Sequence, residues 1–352
     1  MTLNIPQGGV TKKCSPFSRE AEYPTNTLPQ SGIIDGSLTR SETEQIGISI
    51  LTDTLTRLES ITLATYVTDG NLTRSETKTV NNFIGWAYSG DLNTARWGLA
   101  GFGTQSAGVS CGGFTTVDVG NTELFNGTTW AVSGGLNNVR RGLAGFGTQS
   151  AGVSCGGFHG GALTNTESFN GATWTNVLLG DLNIARYYLA GFGIQSAGVS
   201  CGGANGGIQN ATEKFNGATW SVSGNLNVAR EGLAGFGTQS AGLSCGGTNG
   251  GIQAATETFN GIAWSNVLLG GLNTPRYFLA GFGTQTAGVS CGGNTGGPSS
   301  AVTELFNGTT WTTNVPLNTA RYFLAAFGIQ SHGVSCGGAN PGRLATTELF
   351  FL

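Results

Sequence analysis

The sequence predicts an all-β protein. Residues 81–352 should form a six-bladed β-propeller closed by an N-terminal strand, and residues 1–80 a small β-rich module before it. Three observations carry this. A segment of about 45 residues recurs to the end of the chain, marked by Trp86, Trp130, Trp174, Trp220, Trp264 and Trp311. Arg96, Arg140, Arg186, Arg230, Arg276 and Arg321 mark the same copies at intervals of 44 to 46 residues. Cys111, Cys155, Cys201, Cys245, Cys291 and Cys336 each precede a Gly-Gly pair. A period of about 40–50 residues with such landmarks is the signature of propellers and solenoids.

Within one copy, local signals divide the segment into four strands. Gly98 to Gly103 reads as strand a, whose small residues suit the crowded position next to the axis. Ala107 to Cys111 alternates with period two and reads as strand b, stopped by Gly112-Gly113. Thr122 to Phe125 is strand c and Thr129 to Val132 is strand d, with Asn126-Gly127 between them as a tight hairpin signal. Four antiparallel strands joined by short turns make one propeller blade. The blade count follows from the ends. The last copy stops at Thr347–Leu352, a strand c with no strand d after it, while residues 82–87 supply a strand d with no strand c before it. Pairing the two closes the ring, leaves no incomplete blade and gives six.

Composition narrows the function classes. Charged residues are 10% of the chain and the net charge is −3, which gives no electrostatic case for nucleic acid or for an anionic membrane. No apolar run approaches the roughly 18 residues that would span a bilayer, and Met1–Pro6 lacks the blocks of a secretory signal. Glycine contributes 61 residues without a three-residue period, which excludes collagen. Six of the seven cysteines share one repeat position, too far apart in neighbouring blades to bridge, and read as small buried hydrophobes. Cys14 stands alone.

The first eighty residues follow a different pattern. Asp35 to Thr43 recurs as Asp69 to Thr77, each copy opening on an Asp-Gly turn signal in a threonine-rich, β-favouring background. A module of this size has little core of its own and is expected to lean on a partner, on its own copies or on the propeller.

The repeat resembles the kelch repeat. Gly112-Gly113 ending strand b, Phe125 ending strand c, Trp130 five residues later, Leu136 and then Arg140 occupy the places of the kelch pattern, and later copies match. The chain departs from it in using Phe for Tyr and Asn-Gly for Asp-Pro after strand c. The resemblance covers roughly residues 82–352 and implies a kelch-type propeller, a fold that serves many functions. Some kelch propellers are copper oxidases. Here His159 and His332 are the only histidines, neither has a second one at metal-ligand spacing, and no nucleophile motif or phosphate loop appears. A non-enzymatic protein with no cofactor and no metal is expected.

Glu123, Glu167, Glu213, Glu257, Glu304 and Glu348 recur at one position of strand c and match the six repeat arginines in number. They read as a ring of structural ion pairs at blade junctions, with an arginine-lined anion site at the channel mouth as the alternative. The loops between strands b and c differ from copy to copy and nominate a ligand or partner face through Phe114, Phe158, His159, Asn205, Asn249, Asn294 and Asn340. The links after Trp174 and Trp264 are two residues longer and carry the apolar pairs Leu178-Leu179 and Leu268-Leu269, which either contact another protein or pack locally. Trp97, Tyr187, Tyr188, Tyr277, Phe278, Tyr322 and Phe323 follow the arginines and serve either as blade packing or as a platform for stacking sugars.

The charge-poor, Gly/Thr/Asn/Ser-rich texture, as in Leu-Asn-Thr-Ala-Arg and Phe-Asn-Gly-Thr-Thr-Trp, is similar to kelch-like repeat proteins of bacteriophage virions. That resemblance implies a virion protein, a homo-oligomer in the particle, docked on other virion proteins through residues 1–80. Its propeller would be a tail fibre or spike component that binds host-surface carbohydrate. The alternative is a capsid decoration or tail adaptor protein with a purely structural role.

Overall fold

The computed structural model of the chain describes residues 84–267 and 270–352, and these form a six-bladed β-propeller. The module expected over residues 1–80, with Cys14, lies outside the described residues, as do Leu268 and Leu269. The first strand, β1 (Gly85–Tyr88), precedes a complete blade made of β2 (Ala100–Thr104), β3 (Ala107–Cys111), β4 (Thr122–Phe125) and β5 (Trp130–Ser133). Four further blades repeat that order over residues 144–176, 190–222, 234–266 and 280–314. The sixth blade takes Ala325–Ile329, His332–Cys336 and Thr347–Phe351 from the end of the chain and β1 from the start, with Gly85 opposite Phe351 and Tyr88 opposite Glu348. The ring therefore closes by the strand exchange that the two incomplete copies predict.

Strands b and c fall where the glycine and asparagine signals place them. Strand d starts at Trp130 rather than Thr129, because Asn126 to Thr129 is a four-residue loop and not a two-residue hairpin. The Asn126 side chain accepts both Thr128 N–H and Thr129 N–H at 2.9 Å, and Gly127 takes φ 98°. Asparagine is needed there as an acceptor for its own backbone, and glycine for the positive φ.

The core sits between blades. Ala100, Phe102, Val109 and Cys111 of blade 1 pack against Leu136, Leu143, Phe169 and Trp174 of the link and blade that follow, and five equivalent clusters complete the ring. In each, Trp lies tilted on the Phe of its own strand c, and in five of the six it is also edge-on to the strand-a Phe of the preceding blade: Phe169–Trp174 at 4.8 Å, Phe102–Trp174 at 6.3 Å and 90°. The glycine of strand b is what admits that ring, since a Cβ on Gly152 would lie 2.3 Å from Phe102. The junction is tied at two further points. Trp174 Nε1 donates to Thr122 Oγ1 of the preceding blade at 2.9 Å. Gln149 Nε2 donates to the Gly108 and Phe125 carbonyls of the preceding blade at 3.0 and 2.9 Å, and the other five copies repeat both ties.

The six repeat cysteines are free, fully buried thiols. Burial pushes each up to about 12, well above the ordinary thiol range, so they stay protonated and behave as small apolar residues.

Candidate binding face

Because strands alternate in direction, the b–c loops and the d–a links emerge on one face, the a–b and c–d turns on the other. Each d–a link runs over the first face and enters strand a through Leu-Asn-x-x-Arg. In blade 3 that segment is fastened by one buried carboxylate. Glu213 Oε2 accepts Asn183 N and Nδ2, both at 2.7 Å, and Oε1 accepts Arg186 at 2.8 Å. Arg186 also donates to the Gly202 and Ala211 carbonyls and to Ser200 Oγ. The pairs Arg96–Glu123, Arg140–Glu167, Arg230–Glu257, Arg276–Glu304 and Arg321–Glu348 repeat it. The expected pairing is present, but each pair lies inside one blade rather than at a junction. All six arginines are 0% exposed, so the alternative of an anion site lined by them does not exist. Desolvation is the larger influence on Arg276, lowering its pKa, and Glu304 opposes it. That balance is why such a pair fixes geometry more than it adds stability.

Two residues beyond each of these arginines the chain turns at the propeller axis. Gly98, Gly142, Tyr188, Gly232, Phe278 and Phe323 occupy that position, all with φ between 52° and 66°. Each donates its N–H to the carbonyl of the equivalent residue in the preceding blade, at 2.7–2.9 Å, and Gly98 donates to Phe323, so six hydrogen bonds form a closed belt around the axis. Left-handed backbone costs a non-glycine residue about 1–3 kcal/mol, and three of the six positions carry an aromatic side chain nonetheless. Their rings meet. Phe278 stacks on Phe323 at 3.7 Å, and Tyr188 lies 4.9 Å from Phe278 and 5.2 Å from Phe323. Blades 3 and 6 are opposite in the ring, so the contact between Tyr188 and Phe323 spans the axis and covers the channel mouth. Burial pushes the Tyr188 hydroxyl above its ordinary pKa, against a smaller lowering by Arg141.

Around this cap stand the residues that directly follow the arginines: Trp97, Arg141, Tyr187, Glu231, Tyr277 and Tyr322, all half-buried. Each bridges the first residue of its blade's b–c loop, which is Phe114, Phe158, Ala204, Thr248, Asn294 and Ala339 in turn. Three of the seven aromatic residues flagged in the sequence therefore pack at the axis, and the other four stand half-buried around it, with Arg141 and Glu231 in the two remaining positions.

One sector of this ring is filled from within. The Arg141 guanidinium lies 4.9 Å above the Phe114 ring, 4.7 Å above Phe158 and 5.6 Å from Trp97, and pairs with Asp118 at 2.6 Å. Its Nε is buried without a partner. His159 Nδ1 sits 3.0 Å from the other oxygen of Asp118. Phe114, Phe158 and His159 thus come together at one cation, a grouping the sequence does not announce. The asparagines are spread over the other sectors and mostly shape their own loops. Asn205 and Asn249 each accept a glutamine amide four residues on, at 2.7 Å, and Asn294 accepts Gly296 N at 2.7 Å. Asn340 is exposed in the short hairpin Ala339–Arg343 of blade 6.

Farther out, Val177 packs into the adjoining core and Gly180 N donates to its carbonyl, closing a turn with Leu178 and Leu179 at the tip. These two are 88% and 94% exposed, and Leu179 has φ 66°. Local packing thus accounts for Val177 and not for the leucines. His332 lies on the opposite face, exposed, 3.0 Å from Ser331 Oγ. Among the described residues no three His, Cys, Asp or Glu side chains are grouped to hold a metal ion. No model of a known protein family matches the chain, and no curated protein matches it in sequence.

Proposed function

We propose that this propeller is a non-catalytic recognition module of the kelch-like kind carried by phage particles. In this reading it is a tail fibre or spike component, anchored to other virion proteins through residues 1–80, whose loop face binds a host-surface glycan. The observation that carries the reading is the set of half-buried aromatic residues Tyr187, Tyr277 and Tyr322 around a closed axial cap. It offers partly exposed π faces on a rigid belt, the arrangement that stacks on the apolar faces of sugar rings. The opposite face repeats Gln and Asn-Gly turns that are already spent on holding blades together.

The test is binding of the full chain to a glycan array and to whole host cells. Tyr187→Ala and Tyr322→Ala should each weaken binding about tenfold, whereas Thr104→Ala on the turn face should not. No saturable binding to any surface overturns the glycan reading. The exposed Leu178-Leu179 tip supports the second reading, a decoration or adaptor protein whose contacts are with other subunits. Leu179→Ser would then reduce incorporation into particles and leave cell binding as it is.

A further inference from the structure

Arg141 and Glu231 occupy the same position of the repeat, in blades 2 and 4, and the molecule treats them oppositely. Around Arg141 the chain supplies every component of a cation site: a carboxylate from Asp118, the ring of the preceding blade's Trp97, and the loop rings Phe114 and Phe158. Around Glu231 the register puts Tyr187 where Trp97 stands, Ala204 where Phe114 stands and Thr248 where Phe158 stands, and Tyr277 follows in the next blade. Here Glu231 puts a carboxylate where the cation Arg141 stands, Ile208 replaces Asp118, and small residues replace the two loop phenylalanines. The cation is missing. Among the described residues no cation and no hydrogen-bond donor pairs with the Glu231 side chain.

The position is not open water. Glu231 is half-buried, the adjoining Gly232 is locked in the axial belt between Tyr188 and Phe278, and desolvation raises the carboxyl pKa above its ordinary value. A partly desolvated carboxylate left unpaired, with aromatic residues at the equivalent positions of the two adjoining blades, has a free-energy deficit that an organic cation removes. We propose that Glu231, which stands in ring order between Tyr187 and Tyr277, binds the ammonium group of a saccharide that carries a free amine. The saccharide rests on the glycan-binding reading above, and the ammonium on Glu231 alone.

The experiment titrates the full chain with a glucosamine tetramer, with its N-acetylated counterpart and with choline. Wild type should bind the free amine at least about tenfold tighter than the acetylated tetramer. Glu231→Gln should bring the two to equality by weakening the amine only. Glu231→Arg, which reproduces blade 2, should abolish binding of the amine while the melting temperature reports a folded ring. Equal affinities in wild type, or a preference that survives Glu231→Gln, overturn the ammonium site and leave the glycan reading standing. Choline binding that needs Glu231, with neither tetramer bound, upholds the ammonium site and overturns the saccharide. No binding of any of the three overturns both.

Discussion

Arg140 and Arg141 are neighbours in the chain and belong to different parts of the molecule. Arg140 is fully buried on Glu167 and has five equivalents doing the same thing; Arg141 is partly exposed on Asp118 and three aromatic rings and has none. The same contrast separates Glu213 from Glu231. What is buried repeats six times because each blade holds the same internal ion pair and presents the same apolar junction to its neighbour, so any departure would strand a charge or open a gap. What faces outward beside the belt takes four identities over six positions, Trp97, Arg141, Tyr187, Glu231, Tyr277 and Tyr322, because the belt is made by backbone and leaves those side chains free to vary. The fold constrains the first set and tolerates variety in the second, which is where recognition has room to be built.

Substituting both arginines is the most forceful way to break that contrast. Arg140→Met leaves Glu167 buried without its cation and should lower stability by about 3–5 kcal/mol. Arg141→Met gives up cation–π contact and a partly exposed ion pair, about 1–2 kcal/mol. Denaturant unfolding of the two variants measures the gap. Equal losses would mean that Arg141 is as much part of the frame as Arg140, and that the loop face is structural throughout.

A second comparison sets the two faces against each other. Gln149→Ala on the turn face removes two bonds to the preceding blade and should cost about 1–2 kcal/mol, with glycan binding untouched. Tyr187→Ala should do the reverse. If Gln149→Ala weakens binding as strongly as Tyr187→Ala, the faces are not divided in this way.

The sequence made the frame legible and left the face obscure, for a physical reason. Strands b and c could be read to the residue because Gly112-Gly113 and Asn126-Gly127 stop them chemically. Strand a was expected over Gly98–Gly103 and is observed over Ala100–Thr104. Gly98 belongs to the axial belt, whose bonds join backbone atoms of different copies and need no shared side chain. Gln105, Gln149, Gln195, Gln239, Gln285 and Gln330 are plain in the sequence as a repeat, but their acceptors are carbonyls of the blade before, which no local pattern reveals. Arg141, Asp118 and Glu231 were missed for the opposite reason. Each is a single departure from the repeat, and reading the copies for what they share passes over the one residue that differs.

The smallest effect expected is at Glu231, and its sign is informative. Desolvation raises its carboxyl pKa in the folded protein, with no compensating partner among the described residues. A raised folded-state value means that its contribution is fully present below the unfolded carboxylate pKa and is lost as pH rises through the folded value. At neutral pH the ionised side chain therefore detracts slightly from stability, unlike Glu213, whose removal would strand Arg186. Glu231→Gln should raise the melting temperature a little at pH 7, and the gain should disappear as the pH falls below the ordinary glutamate range near 4. A stabilising substitution at a half-buried charge that the fold does not use is the behaviour of a residue kept for a ligand. If Glu231→Gln instead lowers the melting temperature at neutral pH, the carboxylate has a partner within the chain, and the distinction between Arg141 and Glu231 disappears with it.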